Sequence, residues 1–180
     1  MRNLGLLLSV LMWLPAVATA RTSVTTNVGL TGVRVHAVTQ VDADAAVLWA
    51  TLTDYNRLAS FIPGMTLSRQ VSQAGVRPRL VEQRGAGGLL ALVVPDHVVL
   101  ALDERPPGWI GFRSVSGWGA SMQGEWRIEG SQRPVRLVYR AHVVPLLPPP
   151  PALTDGYVQD AIRTRIDAVV REAERRMAAR

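Results

Sequence analysis

The last thirty residues constrain this chain most. Between Pro151 and Arg180, the residues Val158, Ile162, Ile166, Val169, Ala173 and Met177 recur at steps of three and four, so they share one helix face. Arg163, Asp167, Arg171, Glu174 and Arg175 fall on the other faces. Thr154 or Asp155 is placed to cap the first free amides, and a proline run stops the chain just upstream. At 1.5 Å per residue the helix would run roughly 30 Å. An apolar stripe of that length needs a partner of equal length. Nearly everything between residues 33 and 144 reads as strand. The expected fold class is therefore α+β, with one curved antiparallel sheet wrapped around one long C-terminal helix.

Composition narrows the chemistry. At 180 residues, with 48% hydrophobic and 19% charged side chains, the chain can bury the core of one globular domain. It has no cysteine, which excludes disulfides, thiol catalysis, thiolate metal sites and a lipid-anchoring cysteine. All 20 basic residues are arginine, so Schiff-base chemistry on a lysine is excluded. The formal charge of +6 reads as an arginine-rich solvated surface or as attraction to anionic lipid or nucleic acid.

Residues 1–20 read as a signal peptide. Arg2 is a short basic start, Leu4 to Leu14 an apolar run, Pro15 a break, and Ala18-Thr19-Ala20 a small-x-small cleavage site. The expectation is cleavage after Ala20 and export to a bacterial periplasm. Residues 21–32 are small and polar and are expected as a loose arm, leaving 33–180 as the folded domain. Val33, Val35 and Ala37 alternate with Arg34 and His36, as in a half-buried strand. Asp42 to Asp44 offers caps for a helix over Ala45 to Tyr55, and a second short helix follows through Arg57 to Phe61. Leu80 to Gln83 leads into Gly85-Ala86-Gly87-Gly88, read as a bend or bulge in a long strand. Met122, Gly124, Trp126 and Ile128 alternate with Gln123, Glu125, Arg127 and Glu129. Val135, Leu137, Tyr139, Ala141 and Val143 alternate with Arg136, Arg140 and His142. The first set of each strand should face inward.

Two stretches carry a resemblance. Trp49, Leu52-Thr53-Asp54-Tyr55, Leu58, Phe61-Ile62-Pro63-Gly64-Met65 and Ser68-Arg69 resemble the opening of bacterial polyketide cyclase/dehydrase-like proteins. These are also described as coenzyme Q-binding START-type domains of the SRPBCC (helix-grip) superfamily. Gly124-Glu125-Trp126, Leu137-Val138-Tyr139 and Pro145 before the proline run resemble the close of the same family. The resemblance implies a helix-grip fold: a seven-stranded curved antiparallel sheet around the C-terminal helix, with two short helices after the first strand. It also implies a small hydrophobic ligand such as a lipid, a quinone or a polyketide-like compound.

Conventional catalytic constellations are missing. His36 and His142 fall on polar strand faces without metal-ligand spacing, and no metal or cofactor is expected. Asp54, beside Tyr55, reads either as a general base near the chamber mouth or as a local helix-terminus group. Asp96 and His97 point to opposite faces of a strand. No G-x-S-x-G elbow is present, and no catalytic residue is assigned. Two periods converge on a ligand chamber. Strand alternation turns Met122, Trp126 and Tyr139 inward, and helical spacing turns Ile162 and Ile166 toward them. Trp49, Phe61 and Phe112 complete the expected ligand-contact set. Access is expected near the Phe61 to Met65 and Gly117 to Ala120 loops. The function expected is a periplasmic carrier or binding protein for a small hydrophobic molecule. The alternative is an aromatase/cyclase- or dehydratase-type enzyme using the same chamber, which would need an inward acid or base. A transient contact of the C-terminal arginines with a membrane surface is the other partner considered; no nucleic acid is expected.

Overall fold

Alternation of β-branched and charged side chains sets the central strand pair. The computed structural model describes residues 22–85, 96–117, 120–145, 148 and 154–180. Strand β2, Gly32–Val41, buries Val33, Val35, Ala37, Thr39 and Val41 and turns Arg34, His36 and Gln40 to solvent. Strand β8, Val135–Pro145, repeats the pattern and pairs antiparallel with β2, Val33 opposite Val143 and Ala37 opposite Tyr139. The other strands are β1 Ser23–Gly29, β3 Met65–Gln70, β4 Arg79–Gly85, β5 His97–Arg105, β6 Trp109–Gly117 and β7 Ala120–Glu129. All pair antiparallel in the order β1-β2-β8-β7-β6-β5-β4-β3. Irregular register between Val99 and Leu100, and between Met65 and Leu67, marks two places where the pairing departs from a flat ladder.

The sheet has eight strands, not the seven expected. The extra one is β1, in the stretch expected as a loose arm. Its threonines and valines are β-branched residues suited to a half-exposed edge strand. A tight hairpin joins it to β2, with Gly29 opposite Gly32. Gly32 takes φ +126, a conformation that L side chains rarely adopt.

Helix α1, Ala45–Leu52, stops three residues short of the expected Tyr55. Thr53 donates both its amide and its hydroxyl to the carbonyl of Trp49, at 3.0 and 2.8 Å, and the helix ends there. A single 3-10 turn, Leu58–Ser60, forms the second short helix. Helix α2, Asp155–Ala178, begins at the expected cap: the Thr154 hydroxyl accepts from the Tyr157 amide at 3.3 Å. Val158, Ile166, Val169 and Ala173 are buried along it, with Ile162 and Met177 half-buried against the same core.

Polar ties fix α2 along one side of the sheet. The Asp155 carboxylate accepts from the Thr26 hydroxyl at 2.7 Å and the Val28 amide at 3.0 Å. Thr22 donates to Asp167, and the Asp42 amide donates to Glu174 at 3.1 Å. Arg176 reaches Asp54 beyond α1 at 2.8 Å. The helix thus rests on β1, β2 and α1. Its free flank stands over the concave face of the remaining strands. The expected leader, the glycine stretch after Gly85, Trp118 and most of the proline run lie outside the described residues.

Candidate ligand chamber

An aromatic group forms the floor beneath that free flank. Phe112 and Tyr139 stack with ring centroids 6.0 Å apart at 13°, and Trp126 meets Tyr139 at 4.3 Å and 40°. Register explains the grouping: Phe112 lies opposite Gly124 on β7, and Trp126 lies opposite Tyr139 on β8. Val98, Leu100 and Leu102 on β5 extend the wall, and Val158, Ile162, Ile166 and Val169 on α2 form the roof. The space enclosed is about 230 Å3. A dry apolar cavity of about 150 Å3 is enough to hold benzene, so this one has room for a larger ring or a short chain.

The two ends differ. At one, Leu52, Tyr55 and Leu58 close the space. The Tyr55 hydroxyl donates to Glu104 at 2.7 Å, and Arg79 pairs with the same carboxylate at 3.0 Å. Burial and the Glu104 bond push the Tyr55 phenol well above its ordinary range, so it is a neutral donor. At the other end the lining turns polar, with Gln83, Arg84, Asp96 and Arg165 around Gly64 and Gly85. The Gly85 amide donates to the Asp96 carbonyl at 2.6 Å, which draws β4 and β5 together there.

Six of the eight expected ligand-contact residues line this space: Phe112, Met122, Trp126, Tyr139, Ile162 and Ile166. Trp49 and Phe61 do not. Trp49 packs half-buried against the core from α1, and the Arg176 guanidinium lies 5.8 Å from the Phe61 ring centroid. Helical and strand periods identify faces, but neither period governs the loop that carries Phe61. Many lining residues lay outside the expected set, Leu100, Tyr55 and Arg165 among them. Leu100 follows the period of two on β5. Tyr55 required knowledge that α1 ends early. Arg165 falls three residues after Ile162 and four before Val169, inside the apolar stripe, where an arginine is out of pattern.

Of the groups considered for acid–base work, Asp54, Glu125 and His97 are engaged elsewhere, whereas Asp96 stands exposed at the polar end of the chamber. Asp54 is held by Arg176 and approached by Arg57 at 3.9 Å. Glu125 is on the convex face, where hydrogen bonds from Arg127, Trp109 and Arg140 draw its carboxyl down to about 2. His97 lies 3.0 Å from Glu82, which is on the convex face with Arg69 and Arg84. His36 and His142 are on adjacent strands, but each stands opposite an arginine, His36 with Arg140 and His142 with Arg34. Among the described residues no group of three or more His, Asp or Glu is arranged to hold a metal ion. Tyr139 is raised to about 12 by burial, partly offset by the charge of Arg165, and so keeps its proton at neutral pH.

Solved structures with this architecture include proteins of two kinds. The Zhui aromatase/cyclase from Streptomyces sp. R1128 superposes with a TM-score of 0.58 at 21% identity, covering 79% of this chain and 94% of that one. A STAR-related lipid transfer protein fragment from Xanthomonas axonopodis gives 0.64 at 15% identity, covering 87% and 94%. Human STARD10 gives 0.65 at 12% identity, covering 86% and 69%. At these identities the likeness is one of fold, the helix-grip fold of START-type proteins. Among curated proteins none matches the chain by sequence. The family described as polyketide cyclase / dehydrase and lipid transport matches residues 41–170, which span α1, the strands from β3 to β8 and most of α2, and to that family the chain belongs.

Proposed function

We propose that the protein binds and carries a small hydrophobic molecule in the chamber between the sheet and the C-terminal helix, and that it does so in the periplasm. The observation that carries this reading is a space of about 230 Å3 lined mostly by apolar and aromatic side chains from six strands, α1 and α2. Pockets of this make-up gain affinity from burial and orientation from a few polar groups. The Tyr139 hydroxyl and the polar end supply those groups. A carrier is favoured over an enzyme because Asp54, Glu125 and His97 are all committed to partners away from the chamber. A lipid, a quinone and a polyketide-like ring system are the candidate cargoes, in keeping with the family.

Export rests on the leader-like residues 1–20. Purification from the native periplasm, followed by intact mass and organic extraction, tests both parts. The expected result is a chain beginning at Arg21 with one apolar compound in near-stoichiometric amount. An exported chain that retains Met1 contradicts the leader. An extract holding only bulk membrane lipid in proportion to carry-over contradicts the carrier.

A further inference from the structure

Arg165 is the odd residue of the chamber. It lines the cavity from the roof helix, half-buried, in a stripe of otherwise apolar side chains. Its guanidinium nitrogen lies 3.5 Å from where a Cβ on Gly64 would stand, which fixes it at the polar end. Among the described residues it has no ion-pair partner. Every Asp and Glu of the chain falls within the described residues, so no side-chain carboxylate elsewhere in this chain is left to pair with it. Eleven other arginines, by contrast, are tied to carboxylates: Arg57, Arg69, Arg79, Arg84, Arg127, Arg133, Arg136, Arg140, Arg163, Arg175 and Arg176, several of them far more exposed. The Tyr139 hydroxyl lines the same cavity with no hydrogen-bond partner among the described residues, and the charge of Arg165 reaches it. A half-buried guanidinium and a half-buried phenol are both donors, and leaving such donors unmatched is unfavourable.

We infer that Arg165 and Tyr139 form a head-group subsite, and that the cargo is an amphiphile with an anionic oxygen group at that end and its apolar part against Phe112 and Trp126. This rests on the carrier reading and adds the chemical class of the cargo. The guanidinium fork matches a carboxylate or a phosphate with two parallel N–H donations, and the Tyr139 O–H can donate to the same group. The other charges at this end are accounted for. Arg84 is taken by Glu82 at 3.0 Å, and Asp96 is an exposed carboxylate lining the same end. Asp96 opposes an anion there and sets part of the selectivity.

The test displaces a neutral fluorescent probe, N-phenyl-1-naphthylamine, with decanoate, decyl phosphate or decanol at pH 7.5. Wild type should prefer one or both anions over decanol by about tenfold or more, the effect of a charge-assisted hydrogen bond. The carboxylate and phosphate arms identify which head group is native. Arg165→Gln should erase the preference, Tyr139→Phe should reduce it, and Asp96→Asn should raise it, each at an unchanged thermal midpoint within a few degrees. Decanol and both anions competing equally in wild type, or a preference that survives Arg165→Gln, overturns the subsite while leaving the carrier intact. A probe that does not bind wild type, with decanol and both anions failing to bind by calorimetry, overturns the carrier and the subsite together.

Discussion

The Phe112 ring lies across the bare backbone of Gly124, its Cζ only 2.5 Å from where a Cβ on that glycine would stand. The same added carbon would stand 2.2 Å from the Arg140 carbonyl oxygen and 2.9 Å from the Ala141 Cα. Glycine is required here for close approach, since its φ is not positive. The missing side chain lets Phe112 reach the Tyr139 ring and complete the chamber floor. Gly124→Ala should therefore destabilise the fold by about 1–3 kcal/mol, the usual range for overpacking a tight core. Urea denaturation measures it. Adding Phe112→Ala should not rescue the variant, because the backbone clashes remain; an unchanged midpoint for Gly124→Ala alone contradicts this packing.

Acid sensitivity should trace in part to Glu172. Hydrogen bonds from Arg175 and then Arg176 draw its carboxyl down to about 2 from 4.5, against the opposing effect of burial. A folded-state pKa below the unfolded one means that the unfolded chain binds more protons in this window. The stabilisation is complete above about pH 4.5 and is lost as pH falls toward 2. Glu172→Gln should lower stability at neutral pH and flatten the dependence between pH 5 and 2. Glu125, with its own arginines on the convex face, should keep the slope from vanishing. Thermal melts across that range decide it, and an unaltered slope in Glu172→Gln contradicts the assignment.

Arg176 should couple the end of the roof helix to the segment after α1. It bonds Asp54 at 2.8 Å and Glu172 at 2.7 Å, with its guanidinium beside the Phe61 ring. Arg176→Ala should be more destabilising than Asp54→Asn, because it releases Asp54, Glu172 and the Phe61 ring together, whereas Asp54→Asn weakens only the pairs with Arg176 and Arg57. A double-mutant cycle in urea should give a coupling of about 0.5–1 kcal/mol for the pair. A coupling of zero would mean that the ion pair does not hold the helix.

Much of the architecture was legible because two periods are strong. The stripe from Val158 to Met177 and the alternation in β7 and β8 placed the helix, the concave face and six chamber residues. What escaped depended on other forces. Residues 23–29 are small and polar, and only pairing with β2 makes them a strand; composition alone does not disclose a hairpin partner. Tyr55 turns inward because Thr53 ends α1 before it and Glu104, 49 residues away in sequence, accepts its hydroxyl. Phe61 belongs to the loop read as the chamber entrance, a stretch that neither period governs, and the Arg176 guanidinium lies beside its ring. Arg165 was present in the helical period as a violation, and a violation of that kind is itself a signal.

The most direct test is a titration of intrinsic tryptophan fluorescence with a short-chain quinone, since Trp126 lines the chamber. Wild type, Ile162→Arg and Arg136→Ala are compared. Ile162 is on the roof, whereas Arg136 is exposed on the convex face and pairs with Glu129 at 2.8 Å. Apolar burial at about 25 cal/mol per Å2, less the ordering terms, puts the expected affinity on the order of micromolar. The account predicts saturable quenching in wild type and in Arg136→Ala, and its loss in Ile162→Arg. Equal titration curves for all three proteins would contradict a ligand chamber between sheet and helix.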